Sequence, residues 1–458
     1  MIKVKNLVIG FGKAGKSLAS FLSKKNEEVV LIEKDSQMYG GTCINVACIP
    51  SKSLETNARL SNKIGGSFEE KALRYTSYIE EKSALTSLLR NKNYKMLIDA
   101  RVKVVDGTAS FLSSNEVKVV NSENKEEIYQ AERIFINTGS RPFLPPIPGL
   151  KEAKNVYVSE TMMGNKTLPQ HLLVLGGGYI GLEFASYYSN FGSKVTVIQD
   201  GHDFIPREDK EIAEEVEKSF VKRGINIIRD AKVSKVTSKD DELTLELTID
   251  GKEETITGDC LLVATGRRPN TQDLNLDKAG IMLNDRGAID TDEHKRTNVK
   301  NIWAMGDVSG GLQFTYISFD DFRVVSNDLY GDGSATTENR GAIPYTFFID
   351  PPLSRVGLSE EEAKRKGIHV GVGILPVGAI PKARVLNETT GLFKVIIDLE
   401  SNVIVGAHLF GAESHELINL IKFAMDQQIS YKVLRDNIYN HPTMTESFND
   451  LFKNIIER

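Results

Sequence analysis

Three observations predict an α/β architecture in which a strand, glycine turn, helix, strand unit is used twice and is followed by a separate α+β domain. First, residues 4 to 9, VKNLVI, read as a buried strand of the kind found in a parallel sheet. Gly10, Gly12 and Gly15 follow as G-x-G-x-x-G, and AGKSLASFLSKKN then places Leu18, Phe21 and Leu22 at helical spacing. A second buried run, EVVLIE, closes at Glu33. Second, the pattern recurs in HLLVLGGGYIGLEFASYYSNFGSKVTVIQD, with Gly176, Gly178 and Gly181 at the turn and a strand ending at Gln199 and Asp200. Each unit is trailed by a related segment, IFINTGSRP at 134 to 142 and LLVATGRRP at 261 to 269. Third, from about residue 342 the chain changes character: YTFFI, GVGILPV and LFKVIIDL have strand patterns, while SHELINLIKFAMDQQ and ESFNDLFKNIIER have helical ones.

The first glycine turn, GFGKAGKS, admits two readings. As G-x-x-x-x-G-K-[ST] it is a Walker A loop for ATP, with Gly10, Gly15, Lys16 and Ser17 in register. As G-x-G-x-x-G it is a dinucleotide fingerprint, whose glycines let the backbone approach a pyrophosphate at a helix N-terminus. From Gly15 to Glu33 is 33 − 15 = 18 residues, about the separation at which a dinucleotide fold places its ribose-binding acid. The second copy has the same order, and an ATPase has no use for it. Two Rossmann-like dinucleotide-binding domains are therefore expected, with Lys16 and Ser17 opening the first helix.

At 458 residues the chain exceeds one ordinary core, and roughly two to four domains are expected. A net charge of -5 argues against a nucleic-acid or anionic-membrane partner. No run approaches the ~18 apolar residues of a membrane span. The opening MIKVKNLVIG lacks the charged, apolar, small layout of a signal peptide, so a cytoplasmic location is expected.

The three cysteines are too few for a secreted disulfide framework. Cys260, in CLLVATG, reads as a small buried hydrophobe. Cys43 and Cys48 lie together in GGTCINVACIPSK. Five steps of about 100° leave two residues off a common helix face, so pairing them requires an irregular turn. Spacing alone leaves inert thiols, a zinc site and a redox pair all open. Zinc is the least favoured, because no second pair of ligands has metal spacing, and no resident metal is expected.

Taken in order, the first fingerprint, C-x4-C-x-P-S-K, the second fingerprint, A-T-G-R-R-P-N, the G-D of NIWAMGD and a C-terminal H-P-T-x-x-E resemble the flavoprotein disulfide reductases. That family includes glutathione reductase, dihydrolipoamide dehydrogenase and mercuric reductase, and the likeness spans essentially the whole chain. It implies an FAD-binding domain over residues 1–150 and 271–341, an NAD(P)-binding domain over 151–270 and a dimerisation domain over 342–458. FAD would be held by Gly10, Gly12, Gly15, Glu33, Lys34, Gly41, Thr42, Lys52, Thr138, Gly139, Gly306 and Asp307. NAD(P)H would be held by Gly176, Gly178, Tyr179, Ile180, Gly181, Gln199, Gly266 and Arg267.

The same resemblance implies roles. Glu33 accepts the adenosine ribose hydroxyls and Asp307 the ribityl chain. Cys43 and Cys48 form a redox-active disulfide, Cys43 meeting substrate and Cys48 touching the flavin as a thiolate. Lys52 sits by flavin N5 with Glu183 as its counter-ion; a lysine buried there alone would lose its charge. Tyr179 covers the flavin until nicotinamide displaces it. His441 and its orienting carboxylate Glu446 act as the base, supplied from the partner subunit of a homodimer with a shared active site.

Within the family, GFGKAGKSLA, MYGGTCIN, RNKNY, GDVSGGLQFTYISFDDFRVV, PPLSRVGLSEEEA, LPVGAIPKARV and HPTMTESFNDLF resemble the bacterial hypothiocyanous acid reductases, also called reactive chlorine resistance flavoproteins. This implies antioxidant reduction of a small-molecule oxidant, HOSCN, to thiocyanate and water. The alternatives are a dihydrolipoamide dehydrogenase-like enzyme or a reductase of copper or mercury ions. The segment after G-D departs from the A-H-x-A-x-x-E-G pattern of dihydrolipoamide dehydrogenase, and no thiol follows Cys260 to form a second relay. A neutral Gln199 removes repulsion against a 2′-phosphate, which favours NADPH and leaves NADH open.

Overall fold

Leu7, Val8 and Ile9 end strand β1 (Ile2–Ile9) fully buried, because it lies in mid-sheet with parallel neighbours on both sides. The computed structural model describes residues 1–458. The glycine turn leads into α1 (Lys13–Lys24), capped by Gly12, which buries Leu18 and Leu22, and then into β2 (Val29–Glu33). Helices α2 (Thr42–Val46), α3 (Cys48–Ile64) and α4 (Phe68–Asp99) intervene before β3 (Lys103–Asp106), β4 (Thr108–Phe111), β5 (Glu116–Val120) and β6 (Glu126–Ile136). The sheet order is β3-β2-β1-β6-β5-β4. The 32-residue α4 is started by a capping box of Ser67 and Glu70. Tyr75, Ile79, Lys82, Thr86 and Leu97 are its only buried residues, a stripe too thin and too polar to announce a helix by periodicity.

The second unit runs through β7 (Ser140–Pro142), β8 (Val156–Val158), α5 (Ser159–Met162), β9 (His171–Leu175), α6 (Tyr179–Phe191), β10 (Lys194–Ile198), α7 (Lys210–Lys222) and β11 (Asn226–Ile228). An antiparallel meander, β12 (Ala231–Lys239), β13 (Glu242–Ile249) and β14 (Lys252–Gly258), precedes β15 (Cys260–Val263) and β16 (Arg267–Pro269). The parallel sheet has the order β11-β10-β9-β15-β8. Its strand β10 stops at Ile198, so Gln199 stands just past the strand end instead of within it. The two related trailing segments find each other: β7 and β16 pair antiparallel, with Arg141 opposite Arg268. They form a two-stranded bridge between the nucleotide units.

Strand β17 (Ile302–Ala304) returns to pair with β6, and α8 (Thr315–Tyr330) packs on α1. The rest of the chain is β18 (Tyr345–Phe347), β19 (Leu353–Gly357), α9 (Glu360–Arg365), β20 (Val370–Pro376), α10 (Pro381–Leu386), β21 (Leu392–Asp398), β22 (Val403–Phe410), α11 (Ser414–Asp426), α12 (Tyr431–Asp436), α13 (Ser447–Leu451) and β23 (Ile456–Glu457). Its six-stranded sheet, β18-β19-β22-β21-β20-β23, is antiparallel throughout. The helix expected over ESFNDLFKNIIER is one short helix only. Phe448, Leu451 and Phe452 satisfy the core within one turn, and the open edge of β20 then captures Ile456 opposite Val372. On β21, Lys394 is buried and its Nζ contacts Asp209, the N-cap of α7, at 2.9 Å, Glu211 at 2.7 Å and Glu360 at 2.7 Å. This cluster fastens the second nucleotide unit to the C-terminal domain.

Candidate active site

Both glycine turns are built to the same plan. A Cβ at Gly10 would lie 2.3 Å from the Asn137 carbonyl oxygen, and one at Gly176 would lie 2.5 Å from that of Ala264, the matching residue of the second unit. Both glycines have positive φ, +104° and +114°. One turn on, a Cβ at Gly15 would meet the Gly10 oxygen at 2.4 Å, and one at Gly181 the Gly176 oxygen at 2.1 Å. Each helix is thus pressed onto its strand by glycine, and each opens without a side-chain cap. Positions Gly139, Gly178 and Gly266 have nothing within 4 Å of a built Cβ, which leaves space over the turns for a ligand.

Beside the first turn lies a cavity of about 1180 Å³, larger than the ~300–1,000 Å³ of an ordinary small-molecule site. Its wall includes Gly10, Gly12, Glu33, Lys34, Gly41, Thr42, Cys43, Cys48, Lys52, Thr138, Gly139, Tyr179, Ile180, Glu183, Arg267 and Asp307. Glu33 accepts the Phe11 N–H at 2.9 Å and the Asp35 N–H at 3.2 Å, and burial pushes its carboxyl up. Spare lone pairs on both oxygens can still accept a ribose diol. Asp307 accepts from the Ser140 hydroxyl at 2.7 Å, and burial raises it too. A long cavity with a glycine turn, two half-buried carboxylates and a thiol pair along it fits FAD.

The redox pair sits at a helix break. Gly41, with φ +85°, caps α2, which carries Cys43; Ala47, at φ −144° and ψ −105°, interrupts the helix; Cys48 then opens the 17-residue α3. This is the irregular turn that the five-residue spacing demands. The two thiols are free, and each is the strongest influence on the other's titration. Cys48 raises Cys43, with burial adding to it, and Cys43 is the first cause lowering Cys48. Against burial, the Thr315 hydroxyl, 3.4 Å from Cys48 Sγ, and the Lys52 charge lower Cys48 further. Its place at the start of α3 acts in the same direction. These influences favour the thiolate at Cys48 over one at Cys43.

One turn along α3, Lys52 Nζ lies 2.9 Å from each oxygen of Glu183, on α6. Glu183 is buried and also accepts from the Tyr187 hydroxyl and the Phe348 N–H, each at 2.9 Å. The Phe348 ring lies 4.5 Å from Lys52 Nζ, which holds the cation from a second side. Tyr179 is half exposed at the start of α6, its ring 6.1 Å from Phe347 and 6.4 Å from Phe314. Arg267 is locked to Ser140 and Glu160, so its guanidinium braces the bridge between units while lining the cavity.

Several expected residues lie off this wall: Gly15, Gly176, Gly178, Gly181, Gln199, Gly266, Gly306, His441 and Glu446. His441 Nδ1 is 2.7 Å from Glu446, whose other oxygen accepts the Thr443 N–H at 3.1 Å. The hydrogen bond with His441 holds the Glu446 carboxyl below its ordinary range. The Gln199 amide donates to its own loop, to the Gly201 and Asp203 carbonyls, both at 2.9 Å. Sequence reasoning missed Asn137, Thr315, Tyr187 and Phe348. Of these only Thr315 had a signal, lying in the segment that departs from the dihydrolipoamide dehydrogenase pattern.

Comparison with known proteins covers the whole chain. The Pyridine nucleotide-disulphide oxidoreductase family matches residues 4–321, and its dimerisation domain matches residues 343–452. The probable pyridine nucleotide-disulfide oxidoreductase RclA of Escherichia coli (strain K12) is 44% identical over 99% of both chains. The dihydrolipoyl dehydrogenase of Bacillus subtilis (strain 168) is 32% identical over 97% of this chain and 95% of its own. Among solved structures, HOCl-induced flavoprotein disulfide reductase RclA from Escherichia coli superposes with a TM-score of 0.91, at 44% identity over 98% of this chain and 99% of that one. Its Cu(II) complex gives 0.93, at 44% identity over 99% of each. The family's cofactors are FAD and NAD(P)H. Two glycine turns of one design, a thiol pair between them and a dimerisation domain behind them agree with these matches, and the chain belongs to the pyridine nucleotide-disulphide oxidoreductase family.

Proposed function

We propose that this protein passes electrons from NAD(P)H through FAD and the Cys43–Cys48 pair to hypothiocyanous acid, giving thiocyanate and water. One observation carries the reading: Cys43 and Cys48 are the only thiols on the cavity wall, since Cys260 is buried against Met162. With no further thiol relay, the oxidant has to be met by the pair itself. The full-length likeness to the HOCl-induced flavoprotein disulfide reductase RclA supports a role in the response to such oxidants, and HOSCN is the pseudohalogen analogue of HOCl.

Gly10, Gly12, Glu33 and Asp307 would hold FAD, which when bound would supply the relay of an electron pair from NAD(P)H to the disulfide. In the dithiol, Cys43, Thr315 and Lys52 keep the charge on Cys48. The partner subunit's His441, oriented by its Glu446, takes the Cys43 proton. Cys43 then attacks the sulfur of HOSCN, the S–O bond breaks, and hydroxide leaves as water with that proton. The Cys48 thiolate attacks the Cys43 sulfur, an S–S bond forms, and thiocyanate departs as a stable anion. The oxidant gains two electrons and the dithiol loses two. Lys52, held by Glu183 and Phe348, keeps a fixed positive charge beside the site.

Stopped-flow oxidation of the two-electron-reduced protein by HOSCN, lipoamide, glutathione disulfide and Cu(II), side by side, tests this. HOSCN is expected to react fastest, and a comparable rate with lipoamide overturns the assignment. Cu(II) reduction is the second reading, favoured by the RclA structure solved as a Cu(II) complex.

A further inference from the structure

Lys16 has no part in the function so far. It follows the third glycine of the first turn and is 6% exposed on α1. Its Nζ donates to the Gly40 carbonyl at 3.1 Å and to Asn93 Oδ1, on α4, at 2.6 Å. Both acceptors are neutral. Burying an ammonium on neutral partners is costly, and a neutral amide would tie the same two oxygens without that cost. The position of the charge suggests its use: Gly40 and Gly41 form the turn that starts α2, and Cys43 is in its first turn. Burial and Lys13 draw Lys16 down to about 8, and Cys43 is the group that opposes them. In return, Lys16 pulls Cys43 toward its anionic form, against Cys48 and burial.

We propose that Lys16 is a positioning residue: it ties the turn before Cys43 to α1 and α4, and its buried charge stabilises the Cys43 thiolate that attacks the oxidant. This rests on Cys43 being the outward thiol. Within its own subunit the groups acting on Cys43 are the Cys48 thiol from α3, the neutral Thr315 hydroxyl from α8 and the Lys16 ammonium from α1, and in the proposed mechanism the partner subunit's His441 faces it as well. Lys13 is the other charge near Lys16, while Asn93 presents a neutral face from α4. Lys16 is the one cation of this subunit that acts on Cys43, whereas the Lys52 and Glu183 pair acts on Cys48.

The test is alkylation of the reduced holoenzyme with iodoacetamide across pH, the modified thiol identified by peptide mass. Lys16→Gln keeps a hydrogen-bond donor and removes the charge; Asn93→Asp keeps Lys16 and neutralises its field. Both should move the Cys43 alkylation midpoint up by about one pH unit, close to a tenfold slowing at pH 7. A purely structural tether predicts no shift in Lys16→Gln. Cys43 labelling with unchanged midpoints in both variants overturns the proposal. Labelling at Cys48 in place of Cys43 overturns instead the outward-thiol reading beneath it. If Lys16→Gln fails to retain FAD, Asn93→Asp alone decides.

Discussion

Replacing Lys394 with methionine measures how firmly the second nucleotide unit is held to the C-terminal domain. The Lys394 side chain is 2% exposed and meets three carboxylates, so the substitution leaves them facing one another without a cation. Removing one partner of a buried ion pair costs about 3–5 kcal/mol. Glu211 is 40% exposed and is also reached by Arg458 at 3.0 Å, so water and that arginine offset most of its share. Asp209 and Glu360, 3% and 13% exposed, carry the rest, and a loss of about 3 kcal/mol at pH 7 is expected. Against burial, Lys364 and Lys394 hold Glu360 down to about 2. A depressed carboxylate adds stability above its unfolded value, near 4.5, and loses it as pH falls through its folded one. The penalty should therefore decline on acidification from about pH 4.5 towards about pH 2. Urea unfolding of the FAD-loaded protein at fixed concentration, followed by far-ultraviolet circular dichroism, reads both effects. A loss below about 1 kcal/mol at pH 7, or one that grows in acid, refutes the reasoning.

Glu55, buried one turn beyond Lys52, is pushed up to about 7, first by burial. A raised carboxyl erodes stability as pH climbs from about 4.5 to about 7, so Glu55→Gln should gain up to ~3 kcal/mol at pH 8 and nothing near pH 4.5; parallel pH profiles for the two proteins would count against it. Anaerobic NADPH titration should produce a long-wavelength thiolate-to-flavin band that Cys48→Ser abolishes, and a band that survives the substitution removes Cys48 from that role. The neutral Gln199 should give NADPH the higher kcat/KM, and a tenfold or greater preference for NADH would reverse that assignment.

What was legible in the sequence was whatever the backbone dictates locally. Gly10, Gly15, Gly176 and Gly181 announce their turns because any side chain there collides with a backbone oxygen of Asn137, Gly10, Ala264 or Gly176, and Glu33 keeps its distance from the first turn because one helix separates them. Cys43 and Cys48 could be seen to need a broken helix, although the break itself, at Ala47, leaves no compositional mark. The partners from distant segments were silent. Thr315 reaches Cys48 across 267 residues, and Lys394 meets Asp209 across 185, distances at which a sequence pattern carries no geometry. α4 stayed hidden because most of its length faces water, and β23 because a short apolar tail serves a helix or a sheet edge equally well.

The break at Ala47 also has a consequence for chain entropy. A bond between Cys43 and Cys48 would close a loop of only about six residues, worth ~2 kcal/mol of constraint on the unfolded chain, against ~4.7 kcal/mol for a loop of about a hundred. Opening and closing it therefore changes the stability of the whole protein little. The fold can tolerate both redox states turnover after turnover, because its integrity rests on the sheets and their helices and not on the bond it makes and breaks.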